Sequence, residues 1–137
     1  MKRMQQLAFV CPRLAEGAAL GGAETLMRRL AEHVAARRVQ VDFLTTCAED
    51  HYHWANVRDP GTIDAGGLTI RFFPVNENRD HEAFIRLQQR IGSGTPLTPR
   101  QETRWLREGV SSDALLDWLR QHGARLARIV TGPHLFA

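Results

Sequence analysis

Apolar residues fall in short blocks separated by polar stretches rich in turn and capping residues. Leu7-Ala-Phe-Val-Cys11 is an unbroken apolar run, the pattern of a strand buried on both faces. It leads into Leu14-Ala-Glu-Gly17-Ala-Ala-Leu-Gly21-Gly22-Ala23-Glu24. From there Ala23, Leu26, Leu30 and Val34 recur at helical spacing, predicting a helix to about Arg37 whose apolar stripe faces a sheet. Arg28, Arg29, Glu32 and Arg37 then lie on the solvated side. Val39-Gln-Val-Asp-Phe-Leu-Thr45 predicts a second strand, and the short link from Arg37 makes it parallel to the first through a β-α-β crossover.

A polar and aromatic loop follows, Glu49-Asp-His51-Tyr52-His53-Trp54, then Asp59-Pro60-Gly61. Tyr52 and Trp54 read as cover for the edge of the core. Ala65-Gly66-Gly67 reads as a turn, and the run from Leu68 to Val75 as a third strand. Pro74 has no N–H to give a ladder, so this strand should lie at a sheet edge or end there. Asp80 caps a helix with Phe84, Leu87 and Ile91 on one face, broken by Gly92-Ser-Gly94-Thr-Pro96. Thr98-Pro99-Arg100-Gln101 has the capping-box pattern with proline at the first helical position, and this helix carries Trp105 and Leu106 to a stop near Gly109. Ser111 or Ser112 caps the next, with Leu115, Leu116, Trp118 and Leu119 apolar and Gly123 as its stop. Arg128-Ile-Val-Thr131 is a fourth strand. The expected fold class is α/β, a Rossmann-like doubly wound parallel sheet of order 3-2-1-4, in one domain over residues 1–137.

Composition changes this little. The 43% hydrophobic and 24% charged residues suit a single soluble globular domain. Eighteen basic against 15 acidic residues leave a net charge of only +3, and no long basic run or interleaved aromatic stripe points to nucleic acid. The basic start, Met1-Lys-Arg, precedes an apolar run too short for a signal peptide, interrupted by Pro12 and Arg13. No segment approaches the ~20 apolar residues of a membrane span. Cys11 and Cys47 match no metal or redox spacing and are expected as buried free thiols in a cytoplasmic setting. His51-x-His53 lacks a third ligand, so no metal site is expected.

The candidate chemistry lies at the glycine turn. A strand, a glycine-rich turn and a helix N-terminus present backbone amides to an anion, and Gly21 and Gly22 would let the main chain approach it closely and take φ values that side chains forbid. A nucleotide-triphosphate P-loop is excluded, because Ala23 and Glu24 stand where it needs Lys-Ser/Thr. A dinucleotide fingerprint is excluded too. There is no G-x-G-x-x-G, and the second strand ends in Leu44-Thr45-Thr46-Cys47 without a ribose-binding acid. Arg79 and His134, each after a strand's C-terminal end, stand where a ligand could be reached, although a surface ion pair is the preferred reading of Arg79.

With Gly21-Gly22-Ala23-Glu24 on the first βα turn and Thr45-Thr46-Cys47-Ala48-Glu49-Asp50-His51-Tyr52 after the second strand, the chain resembles the N-terminal domain of glycosyltransferase family 4, the group 1 GT-B enzymes. Leu97-Thr98-Pro99 through Arg104-Trp105-Leu106, then Ala114-Leu115-Leu116, is similar to bacterial members acting on polysaccharides or lipids. The resemblance implies a retaining transferase that moves a sugar from a nucleotide-sugar donor to a saccharide, lipid or other acceptor, the nucleotide-sugar being substrate and no cofactor being required. It implies that Gly21, Gly22, Ala23 and Glu24 meet the donor's phosphate and sugar, with His51, Arg79 and His134 on the acceptor side. The family's second domain, with its glutamate pair and phosphate-binding patch, has no counterpart here. The chain is therefore expected to be an incomplete half, inactive alone, and to self-associate through the open edge of its fourth strand. Peripheral membrane contact is compatible with this family. A non-catalytic Rossmann-like binding module is the alternative.

Overall fold

The computed structural model describes residues 5–14 and 21–132. Five strands, β1 (Gln6–Val10), β2 (Gln40–Thr46), β3 (Gly61–Ala65), β4 (Leu68–Phe73) and β5 (Arg128–Thr131), form one sheet of order β3-β4-β2-β1-β5. Four helices accompany them: α1 (Gly22–Ala35), α2 (His81–Gly92), α3 (Pro99–Arg107) and α4 (Asp113–His122), the last running into a short 3-10 turn at Gly123–Arg125. β4, β2, β1 and β5 are parallel neighbours, whereas β3 runs antiparallel to β4.

The four-stranded order 3-2-1-4 is thus corrected to a five-stranded mixed sheet. The added strand is the first arm of a hairpin that turns on Gly66 and Gly67, with φ of +58° and +85°. Positive φ at both turn residues is what a two-residue loop needs to match the strand twist, and Ala65 pairs directly with Leu68 across it. β3 escapes periodicity because Gly61 to Asp64 are all exposed and no apolar alternation marks them. Its presence also moves the strand before Pro74 off the sheet edge. β4 is paired on both sides and ends at Phe73, so the proline acts only as a terminator.

The core has a layer on each sheet face. Phe9, Val41, Phe43, Leu68, Ile70 and Phe72 pack beneath Met27 and Ala31 of α1. Ala8, Val10 and Leu44 on the other face meet Leu115 of α4, with Trp118 and Leu119 packed around them. Because helices cover both faces of β2, six of its seven residues are buried in succession. One of them is a carboxylate: Asp42 is fully buried, accepts from Arg71 Nε at 2.8 Å and from Gln6 Nε2 at 2.9 Å, and so is compensated.

Of the helix face expected from Ala23, Leu26, Leu30 and Val34, Val34 packs against the core and the rest is corrected. Leu26 is 68% exposed and Leu30 45%, while Glu24, Met27 and Ala31 are buried. The stripe is turned by about one residue, so that Met27 and Ala31 face the sheet and Glu24 meets Arg13. Ile91 on α2 is likewise exposed, where Ala83 and Leu87 make the inner face. The capping signals place the starts of α2, α3 and α4. Asp80 accepts from Ala83 N, Thr98 and Gln101 form a reciprocal capping box, and Ser112 accepts from Leu115 N.

Candidate functional site

At the C-terminal ends of the parallel strands lies a cleft of about 550 Å³. Three chain connections converge on it. The link after β1 brings Pro12, Arg13 and the Gly21–Gly22 opening of α1; the loop after β2 brings His51 and Trp54; the segment after β4 brings Arg79. Phe84 of α2 with Trp105 and Leu106 of α3 makes an apolar wall. The mouth of a parallel sheet, where successive βα connections meet, is where α/β folds bind ligands.

Residues Gly21 to Glu24 and His51 and Arg79 therefore line one space, although up to 58 positions separate them in sequence (79 minus 21). His134 and Gly17 lie outside the described residues. α1 starts at Gly22 with Gly21 as its N-cap, and no side chain caps it. Among the described residues nothing accepts from the amides of Gly22 and Ala23, which open the positive end of the helix.

The reason for glycine differs from the expectation at both positions. Gly21 has φ −72° and ψ 160°, ordinary extended backbone, and neither it nor Gly22 has positive φ. What Gly21 provides is room, since a Cβ there would overlap the Glu24 carboxylate folded against it. A Cβ on Gly22 would meet nothing within 4 Å. Glu24 is buried, and its Oε1 accepts from Arg13 Nε at 2.8 Å. Arg13 Nη1 in turn donates to the Glu49 carbonyl at 2.9 Å, tying the β1 connection to the β2 loop. Arg13 was not among the expected site residues. Its only sequence signal is position, an arginine three residues beyond a buried strand at the sheet mouth.

The loop after β2 is fixed by its own polar atoms. Asn56 donates to the Val75 carbonyl at 2.9 Å and accepts from Val75 N at 2.8 Å, and the Cys47 carbonyl accepts from Val57 and Arg58 N. Asp50 accepts from Tyr52 N and His53 N at 2.8 and 2.9 Å, which pulls its carboxyl below the usual range, chiefly through the His53 amide. His51 itself is exposed, its ring packed on Tyr52 with centroids 4.1 Å apart. Trp54, expected as cover for the core edge, is 7% exposed within a small cluster with Ala48, Val75 and Val110, and it also walls the cleft.

Arg79 spans the cleft rim. Its Nε donates to the Glu108 carbonyl at 2.6 Å and Nη1 to the His51 carbonyl at 3.1 Å, while the guanidinium lies 3.8 Å from the Phe84 ring centre. Burial pulls its pKa below the ordinary value, opposed by the charges of Glu108 and Asp50. Among the described residues it forms no ion pair within 4.0 Å; it braces the loop and contributes positive charge.

Among the described residues no group of three or more His, Cys, Asp or Glu is arranged to hold a metal ion, and no helix is long and apolar enough to cross a membrane. No protein-family model matches the chain, and no match was found among curated proteins or solved structures.

Proposed function

We propose that this chain is the acceptor-side, Rossmann-like domain of a retaining glycosyltransferase, which moves a sugar from a nucleotide-sugar donor to a saccharide, lipid or other acceptor. One observation carries the reading. An uncapped helix N-terminus at Gly21–Gly22, the His51 loop and Arg79 arise from three separate connections and line one cleft at the mouth of a parallel sheet. Open α1 amides suit a diphosphate, and the wall of Phe84, Trp105 and Leu106 suits the apolar face of a sugar or an apolar acceptor. The Arg13–Glu24 pair keeps the acid at the helix start neutralised, so it does not cancel the field an anion would feel. Electrostatic stabilisation of the departing diphosphate would need a second domain closing over the cleft.

The test is a transfer assay with UDP-, GDP- and ADP-sugars, following nucleoside diphosphate release. The chain is assayed alone and joined to whatever α/β domain its reading frame supplies. Release by the joined protein and none by the chain alone is expected. Transfer by the 137-residue chain by itself would remove the two-domain reading, and no release from either would remove the enzyme reading.

A further inference from the structure

The hydrogen-bond groups around the cleft are unequal in kind. Its acceptors are largely engaged. Arg13 holds the Glu24 carboxylate, Trp105 Nε1 donates to Gln88 Oε1 at 2.6 Å, and the Pro12 and Gly21 carbonyls already accept from Thr46 Oγ1 and Thr25 N. Among the described residues the groups without a partner there are donors: the first amides of α1 and the indole N–H of Trp54.

Trp54 stands out on two independent counts. Its side chain is over nine-tenths buried on the cleft wall, yet its Nε1 is shielded from solvent and has no hydrogen-bond partner. Buried donors are nearly always paired, so an orphaned one calls for a physical reason. Its backbone also has φ +52°, the left-handed region that a bulky aromatic residue rarely adopts. The surrounding chain enforces that conformation through the Asp50 turn before it and the Asn56–Val75 clamp after it. Strain of this kind, held by its neighbours, gathers at ligand sites. Trp105, on another wall of the same cleft, shows the contrast, because its indole N–H is already bonded.

We propose that Trp54 is a ligand-contact residue whose indole N–H donates to an anionic oxygen, phosphate or carboxylate, held between it and the Gly21–Gly22 turn. An indole is a donor only, as are backbone amides, so the matching ligand group is one that only accepts. Arg79, with its guanidinium 5.7 Å from the Trp54 ring centre, adds positive charge beside that position. The inference deepens the transferase reading and rests on it only for the place of the ligand. The anionic oxygen has two sources there: the donor's diphosphate, or a phosphate monoester on the acceptor.

The three tryptophans give three indole N–H resonances, assigned with Trp54→Phe and Trp105→Phe. The ¹⁵N-labelled protein is titrated with UDP in one arm and glycerol 3-phosphate in the other. The Trp54 indole resonance is expected to shift saturably together with the Gly22 amide, the Trp105 resonance much less. Trp54→Phe, which keeps an aromatic side chain of smaller area and removes the donor, is expected to weaken binding about tenfold as read at Gly22. A response to UDP alone assigns the oxygen to the donor, and one to glycerol 3-phosphate alone assigns it to the acceptor. A moving Gly22 amide beside a stationary Trp54 resonance, or undiminished affinity of Trp54→Phe, overturns the role of Trp54 and leaves the transferase reading standing. Silence of every cleft resonance in both arms overturns the proposal together with the anion-binding cleft.

Discussion

Arg13 Nε lies 2.8 Å from Glu24 Oε1, and both side chains are more than nine-tenths buried where the sheet meets the first turn of α1. A charge pair in that position links three features: the end of β1, the rotation of α1 and, through Glu49, the loop that carries His51 and Trp54. Removing one partner strands the other as a buried charge. Arg13→Ala and Glu24→Ala should each cost about 3–5 kcal/mol in urea unfolding, while replacing both by apolar residues of similar volume should cost less than the sum.

The pair lies on the side of α1 that faces the sheet, and core truncations check which side that is. Met27→Ala should destabilise by about 2–5 kcal/mol, whereas Leu26→Ala should stay within about 0.5 kcal/mol, because Leu26 is 68% exposed. The reverse ranking in thermal or urea unfolding would restore the rotation expected from Leu26 and Leu30.

Burial pushes the Cys11 thiol up to about 11, and Cys47 also rises, chiefly through burial. A folded-state pKa above the unfolded one contributes stability that is present below the unfolded value and lost as pH rises through the folded one. Stability should therefore fall from about pH 9 toward 11, and less steeply in Cys11→Ala, once compared with its own neutral-pH value. At neutral pH both thiols should resist maleimide until the protein is unfolded.

Asp50 behaves oppositely. Its carboxyl titrates below its ordinary value because the folded loop donates to the ionised form. Its contribution is present above the unfolded carboxylate value near 4 and is lost as pH falls through the lower folded value. Loop order, followed at the Trp54 indole resonance, should decline in that acid window in the native protein, and Asp50→Asn should show the looser loop already at pH 7.

β5 pairs only with β1 among the described residues, and Ile129 on it is 51% exposed beside a groove of about 220 Å³ that includes Leu116 and Leu119. An open strand edge with apolar side chains recruits another chain. Self-association is expected by analytical ultracentrifugation at high concentration, and Ile129→Lys should reduce it. A monomer throughout would end that proposal.

Much of the site was legible because its signals are local. Gly21–Gly22 after a buried strand marked the mouth of the sheet, and Asp80, Thr98 and the Ser111–Ser112 pair marked helix starts, of which Ser112 proves to be the third cap. Trp54 and Arg13 were not legible as site residues. Their roles depend on partners or cavities contributed by other connections, and no periodicity encodes those. β3 was missed because a short, solvent-exposed arm leaves no hydrophobic trace, although Gly66-Gly67 before an alternating run was the hairpin signal available.

By itself the amino-acid sequence determined the α/β class, the parallel run of its buried strands and the positions of the caps, because strand runs and caps follow from residues a few positions apart and short crossover links leave little choice of strand direction. Only the tertiary structure decided which stripe of α1 turns inward, that Glu24 is spent on Arg13, and that a strained Trp54 shares a cleft with the helix start. Those outcomes depend on contacts across 11 to 36 positions, settled by competition among neighbours for the same buried space.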